Sequence, residues 1–85
     1  MDRRRLLARI AGGDLANVSF VDLRSLVEGF GFQLTRTSGS HHVFVHPDVP
    51  GLLNLQKVRG QAKPYQIRQF LRMVERYALT MEDGR

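Results

Sequence analysis

Three histidines fall within one short stretch of this chain, where they could act on a bound substrate. His41, His42 and His46 follow directly after Ser38-Gly39-Ser40, which has the composition of a turn. An imidazole changes its protonation state near neutral pH, so it can take up or release a proton under physiological conditions. A histidine beside phosphate-binding cations therefore suits proton transfer on a phosphodiester.

His41 is the best placed of the three, because it opens a strand directly after Gly39-Ser40. A glycine turn exposes the next side chain and lets backbone N–H groups approach an anion closely. We expect the turn to expose His41 beside Arg36 and Lys57. RNA is the substrate whose cleavage requires the fewest further groups from the protein, since its own 2′-hydroxyl is the nucleophile once a base removes the proton. These residues alone indicate RNA binding and leave cleavage by His41 open.

Metal sites and hydrolytic triads fit the sequence less well. Neighbouring strand residues point to opposite faces, so His41 and His42 cannot chelate one metal together in the ordinary way. His42 and His46 share a strand face but have no evident third ligand, and the chain has no cysteine. Ser38 and Ser40 lack the Asp–His relay of a triad. We expect no metal site and no cofactor.

Basic residues around and after the histidines are candidates for phosphate contacts. Lys63 precedes Pro64 at a predicted helix start, where a cation meets exposed N–H donors and the positive end of the helix dipole. A solvated helix face explains Arg72 and Arg76 equally well. The predicted RNA-binding residues are Arg36, Ser40, His42, Lys57, Lys63 and Arg68.

Three helices are predicted around these residues. The first covers about 2–11, the second starts after the capping residue Ser19, and the last starts at Pro64. The predicted apolar stripes are Leu23, Leu26, Val27 and Phe30 in the second helix, and Ile67, Phe70, Leu71, Val74 and Ala78 in the last. Their spacing places each stripe on one helix face.

Alternation of polar and apolar residues predicts three strands: Phe32 to about Thr37, His41 to His46, and Leu52 to Val58. Residues 47–51 are predicted to form a loop, and residues 59–63 a mobile basic crossing. Short connections favour an antiparallel meander. The sequence therefore predicts an α+β fold, with a three-stranded antiparallel sheet that carries helices on one face and leaves the other face open.

The length of 85 residues allows one small domain, with a core over about 19–79 and a frayed tail at 80–85. Apolar residues make up 42% of the chain, as in ordinary globular proteins and unlike disordered chains. The net charge of +5 favours a polyanion or an acidic protein as partner. No apolar run is long enough for a membrane span or signal peptide, so we expect a cytoplasmic protein without a membrane partner.

Four sequence blocks occur in order over nearly the whole chain. They are Gly31-Phe32, Gly39-Ser40-His41-His42-Val43-Phe44 with His46-Pro47, Leu53-Asn54-Leu55-Gln56, and Ala62-Lys63-Pro64-Tyr65-Gln66-Ile67-Arg68-Gln69. In this order and spacing they resemble the longer members of the HicA toxins of HicA–HicB toxin–antitoxin systems, also called YcfA-like. Residues 59–62 depart from the lysine- and glycine-rich loop of such proteins, which bears on loop contacts with RNA.

The resemblance implies the toxin of a type II toxin–antitoxin system, an mRNA interferase neutralised by a HicB antitoxin. It also implies a double-stranded-RNA-binding-like α-β-β-β-α fold, here with an extra short N-terminal helix. The family's catalytic histidine follows the Gly-Ser pair and corresponds to His41, with His42 adjacent. Two other functions stay open: a non-catalytic RNA-binding module of the same fold, and a protein-interaction domain that presents a basic face to an acidic partner.

Overall fold

The computed structural model describes residues 1–81, which form three helices and one four-stranded sheet. In chain order the elements are α1 (Arg3–Ala11), α2 (Phe20–Gly29), β1 (Gln33–Ser38), β2 (His41–His46), β3 (Val49–Val58), β4 (Gln61–Ala62) and α3 (Pro64–Arg76). The strands are antiparallel neighbours in the order β1-β2-β3-β4. The α+β class and the meander are confirmed, whereas most of the predicted tail at 80–85 lies outside the described residues.

The helices α2 and α3 begin where the sequence signals predict, and α1, predicted to cover about 2–11, spans Arg3–Ala11. Asp2 caps α1 by accepting a hydrogen bond from the backbone N–H of Arg4 at 2.7 Å, and Ser19 caps α2 through the N–H of Asp22 at 3.4 Å. Pro64 occupies the first turn of α3, where its missing N–H leaves no hydrogen bond unmade. None of these helices has the length and apolar character required to cross a lipid bilayer.

One apolar core lies between the helices and one face of the sheet. The side chains that fill it include Leu23, Leu26, Val27, Phe30, Phe44, Leu53, Leu55, Ile67 and Phe70, each 3% exposed or less. The ring of Phe70 stands edge-on to Phe30 and Phe32, with centroids 5.5 and 6.0 Å apart. Ala78, predicted to extend the stripe of α3, lies beyond the helix end with φ 51°. The buried stripe therefore ends within α3.

The predicted count of three strands is wrong, because residues 61 and 62 form β4. Arg59 and Gly60 have φ of 53° and 78°, so both central residues of this two-residue hairpin are left-handed, as a type I′ turn requires. Glycine adopts this conformation readily, but arginine seldom does, so the turn is not predictable from the sequence. The segment 59–63 is a hairpin turn and a short strand instead of a crossing.

The outer edge of β4 is covered by the chain that leads into α2. The backbone N–H of Ala62 donates to the carbonyl of Val18 at 2.9 Å, and the N–H of Phe20 donates to the carbonyl of Gly60 at 2.9 Å. These two bonds tie the start of α2 to the end of the sheet.

The predicted loop at 47–51 is shorter than expected, since β3 begins at Val49. Val49 pairs with His46 across the turn Pro47-Asp48. The register of β2 against β3 then shifts, and Gly51 has φ 91°, so extra residues of β3 are accommodated as a bulge. Beyond the bulge, β3 is regular where it pairs with the histidine end of β2.

Candidate active site

The strand register divides the polar residues between the two faces of the sheet. His42 pairs with Leu55 in the register and Phe44 pairs with Leu53, so these residues face the core. The opposite side of the sheet carries Ser38, Arg36, His41, Val43, Asn54 and Gln56, which pair as Ser38 with His41, Arg36 with Val43, Val43 with Asn54, and His41 with Gln56. We call these six residues the open face.

His41 is exposed on the open face and is held on one side of its ring. Its Nδ1 lies 3.3 Å from the side-chain nitrogen Nδ2 of Asn54. Within residues 1–81, its other ring nitrogen, Nε2, makes no hydrogen bond. The ring can therefore exchange a proton through Nε2 while Nδ1 is anchored.

The turn before His41 is fixed by its neighbours in β3. Gly39 has φ 58°, as in the hairpin turns that place a left-handed residue first. The carbonyl of Ser40 accepts the backbone N–H of Lys57 at 2.9 Å, and the Ser40 hydroxyl accepts Nε2–H of Gln56 at 3.3 Å. Ser40 therefore holds the turn that presents His41.

His42 faces the other side of the sheet, as the alternation of strand side chains predicts. Its ring is tilted against Phe20 with centroids 4.5 Å apart, and its Nδ1 is 3.0 Å from the carbonyl of Ser40. Because a carbonyl only accepts, Nδ1 carries the proton of this bond. His42 is half-buried, and its environment is that of a packed, hydrogen-bonded residue.

His46 has partners at both ring nitrogens. Nε2 donates to the carbonyl of Phe30 at 2.9 Å, and Nδ1 accepts the backbone N–H of Asp48 at 3.0 Å. The ring also stands edge-on to Phe32, with centroids 5.0 Å apart. His46 therefore joins the end of α2 to the β2–β3 turn and leaves no ring nitrogen free for chemistry.

Of the two cations expected beside His41, the structure brings only Arg36 to its face. Arg36 is exposed on β1 and pairs with Val43, two residues along β2 from His41. Lys57 follows Gln56 in β3 and lies on the helix side, where it lines a recess with His42, Phe20 and Arg24. The reason is the strand alternation, which separates Lys57 from His41 although the two are close in register.

Lys63, which directly precedes α3, and Arg68, within α3, lie outside the open face. Lys63 is half-buried at the start of the helix, with its Nζ 5.9 Å from the ring centroid of Tyr65. Arg68 is exposed and lines a groove with Leu7 of α1 and Leu71 of α3. Of the predicted RNA-binding cations, only Arg36 therefore lies on the open face.

The open face carries positive and neutral groups. Of its six residues, Arg36 is charged, His41 is titratable, and none is acidic. In the described part of the chain, no three His, Cys, Asp or Glu side chains are grouped in a way that could hold a metal ion. The arrangement can thus receive an anionic substrate and exchange a proton with it.

Three glutamine and asparagine side chains near the site were missed as functional candidates. Asn54 contacts His41, Gln56 contacts Ser40, and Oε1 of Gln66 accepts the backbone N–H of Gln56. The alternation in Leu53-Asn54-Leu55-Gln56 contains part of the signal, because it puts Asn54 and Gln56 on one strand face. Only the register of the hairpin, however, brings that face to His41.

Comparison with known proteins identifies a family that matches this chain. The model of the HicA toxin of bacterial toxin–antitoxin systems matches residues 21–75, a range that contains β1 to β4 and nearly all of α2 and α3. No curated protein and no solved structure matches the chain significantly. The matched range covers more than half of the chain and includes both His41 and Asn54. The chain therefore belongs to the HicA toxin family of bacterial toxin–antitoxin systems, a membership that implies a cognate antitoxin as its partner.

Proposed function

We propose that this HicA-family toxin is an endoribonuclease, an mRNA interferase in which His41 activates the 2′-hydroxyl of RNA. The observation that carries the proposal is the state of His41: exposed on the open face, anchored at Nδ1 by Asn54, and without a protein partner at Nε2 among the described residues. His42 and His46 engage their rings in packing and backbone hydrogen bonds instead.

The proposed reaction is an attack of the 2′-oxygen on the adjacent phosphorus. The base is the tautomer in which Nδ1–H donates to Oδ1 of Asn54 and Nε2 carries no proton. Nε2 of His41 then takes the proton of the 2′-hydroxyl, the bond from the 2′-oxygen to phosphorus forms, and the bond from phosphorus to the 5′-oxygen breaks. The departing 5′-oxygen takes a proton from water or from a protonated histidine. The products are a 2′,3′-cyclic phosphate and a 5′-hydroxyl. No step requires a metal ion or a cofactor.

Arg36 is the cation best placed to meet the phosphate at the reacting position, because it shares the open face with His41. We assign the remaining RNA contacts to Ser40, His42, Lys57, Lys63 and Arg68. Since these residues lie at the turn, on the helix side and on α3, they would hold flanking nucleotides of a strand that bends around the domain. Each cation would act through phosphate charge, with little sequence preference.

The proposed setting follows from the substrate and the family. A toxin that cleaves mRNA acts in the cytoplasm, and we propose a HicB-like protein as the antitoxin. The chain's net charge of +5 favours attraction to both RNA and an acidic surface.

The test is cleavage of a labelled RNA by purified protein. We expect wild-type protein to yield fragments that end in a 2′,3′-cyclic phosphate, and His41→Ala to lose cleavage while its melting temperature is unchanged. His46→Ala, compared per folded molecule, is the matched control, because it removes a histidine ring outside the proposed site and should keep the wild-type rate of cleavage. An RNA with 2′-deoxynucleotides at the cleaved positions should resist the wild-type enzyme.

Cleavage by His41→Ala at the wild-type rate would overturn the assignment of His41, and cleavage of the deoxy substrate would overturn the proposed nucleophile. A second candidate function is a non-catalytic RNA-binding module. The dispersal of Lys57, Lys63 and Arg68 away from His41 favours it, because these cations could bind RNA without any part in cleavage. In that case wild-type protein binds the RNA and leaves it intact.

A further inference from the structure

The side chain of Asn54 is the group that holds the ring of His41. Its Nδ2 lies 3.3 Å from Nδ1 of His41, across the boundary between β2 and β3. We infer that Asn54 is the positioning residue of the site: it fixes the orientation of the His41 ring and directs Nε2 toward the substrate. This inference rests on the proposed role of His41 and adds to it a residue that does not itself touch RNA.

The register makes this contact a property of the fold. His41 pairs with Gln56 and Val43 pairs with Asn54, so Asn54 is the diagonal cross-strand neighbour of His41, at a distance that side chains can bridge. Leu53 and Leu55, on either side of Asn54, are fully buried. The backbone that carries the amide is thus anchored in the core and pairs with β2 at this position.

The chemistry of an amide matches the two states of a proton-transferring ring. When Nδ2–H of Asn54 donates to Nδ1, the proton of the neutral ring is on Nε2. When the amide turns over, its Oδ1 accepts Nδ1–H, and Nε2 is then either the free base or the second N–H of the imidazolium. With Oδ1 as the acceptor, Asn54 can therefore hold the ring both before and after Nε2 accepts a proton, whereas with Nδ2–H as the donor the neutral ring cannot act as a base at Nε2.

A neutral partner also leaves the charge of the site unchanged. The groups that face His41 are Ser38 and Arg36 of β1, Gln56 and Asn54 of β3, and none of these is an acid. A carboxylate at position 54 would stabilise the protonated ring, so that the ring would become a base only at higher pH. Asparagine supplies the anchor without this effect.

Two variants separate the anchor from the charge. Asn54→Leu removes the hydrogen bond and keeps a similar volume, whereas Asn54→Asp keeps an acceptor and adds a negative charge. The matched control is Gln33→Leu, which likewise replaces an exposed side-chain amide by leucine, at the far end of β1. Because Asn54 is exposed, all three variants are expected to fold, which circular dichroism would verify.

The first measurement needs no RNA. Nitrogen-15 NMR of the His41 imidazole reports which nitrogen carries the proton in the neutral ring. We expect wild-type protein and Gln33→Leu to give one common tautomer distribution, and Asn54→Leu to shift it toward that of a free imidazole. An unchanged His41 spectrum in Asn54→Leu would overturn the inference.

The second measurement is the pH dependence of cleavage. Asn54→Leu should lower kcat about ten- to a hundredfold, as expected for a misoriented catalytic group, with little change in KM. Asn54→Asp should move the acid limb of the profile to higher pH by about one unit. Wild-type kcat in Asn54→Leu, or an unmoved limb in Asn54→Asp, would count against the positioning role.

The two measurements also separate this inference from the proposed function. If wild-type protein cleaves no RNA while the His41 tautomer depends on Asn54, the ribonuclease proposal fails and the anchor is supported. If wild-type protein cleaves RNA and the Asn54 variants match it in both measurements, the function stands and the anchor is overturned.

Discussion

Oε1 of Gln66 in α3 accepts a hydrogen bond of 2.6 Å from the backbone N–H of Gln56 in β3. The short strand β4 pairs with Lys57 and Val58 only, so this N–H on the β3 edge has no strand partner there. Gln66, which is 4% exposed, takes the place of the missing strand. Through Gln56, which pairs with His41 and donates to Ser40, the bond connects α3 to the candidate site.

Replacing Gln66 by alanine should destabilise the fold, because it leaves the N–H of Gln56 half-buried without its acceptor. We expect the free energy of unfolding in urea to fall by about 1–3 kcal/mol. Gln69→Ala is the matched control, since it makes the same change at a half-buried position of the same helix and should cost less than about 0.5 kcal/mol. Equal stability of the two variants would contradict the role given to Gln66.

His46 and His41 should respond in opposite ways to substitution. His46→Ala removes the acceptor of the Asp48 N–H and the donor to the Phe30 carbonyl, so the free energy of unfolding should fall by about 2 kcal/mol. RNA cleavage per folded molecule should stay near the wild-type rate. His41→Ala should show the reverse, with stability within about 0.5 kcal/mol of wild type and no cleavage. Loss of activity in fully folded His46→Ala would contradict this division.

RNA affinity should weaken with salt, because each phosphate that a cation neutralises releases condensed counterions. If Lys63 contacts a phosphate, Lys63→Ala should make the slope of log affinity against log salt shallower by about 0.7 for a single strand. Arg5→Ala removes the same charge from an exposed position of α1 and should leave the slope unchanged. Fluorescence titration at several salt concentrations measures both slopes. Equal slopes for the two variants would show that Lys63 does not contact a phosphate.

Cleavage should continue in excess EDTA. The proposed reaction uses the substrate's own hydroxyl and a histidine base, and neither requires a Lewis acid. The rate at saturating RNA should change less than twofold on chelation. A loss of activity that added magnesium or zinc restores would show that a metal ion takes part. The substrate should be an unstructured RNA strand, so that chelation does not change the folding of the RNA.

The antitoxin should silence the toxin by covering the open face. A standard interface of roughly 800 Å² per partner would span much of one face of an 85-residue domain, so occlusion of His41 is the simplest route. We expect an acidic contact at Arg36, the charged residue of that face. Diethyl pyrocarbonate should modify His41 in the free toxin and leave it unmodified in the complex. A complex with reactive His41 and no RNA cleavage would indicate distortion of the site instead.

The elements set by local pattern were predictable from the sequence. The spacing of Leu23, Leu26, Val27 and Phe30 identified the buried face of α2, and Ser19 and Pro64 marked two helix starts. The exposure of His41 followed from the turn before it. In each case residues close in the chain contain the information, because helix periodicity, caps and turns are local.

The features set by pairing between strands were not predictable. β4 depends on a left-handed arginine at position 59, which the sequence gives no reason to expect. The contact of Asn54 with His41 depends on the register of β3, which is fixed by the turns and the buried face together. Because His41 pairs with Gln56, the next residue, Lys57, lies on the opposite face of the sheet. A lysine and a histidine are nevertheless the residue types expected together in one site.

The hydrogen bonds from Ala62 to Val18 and from Phe20 to Gly60 join two segments of the chain, one before β1 and one after β3 in the sequence. Contacts this distant in sequence form only after the intervening chain is available, and they slow folding. During synthesis, the segment before α2 must therefore wait until β4 has left the ribosome before the sheet edge can close. We expect nascent chains that stop short of β4 and α3 to lack a stable scaffold for His41. The candidate site would then form only after both β4 and α3 have left the ribosome.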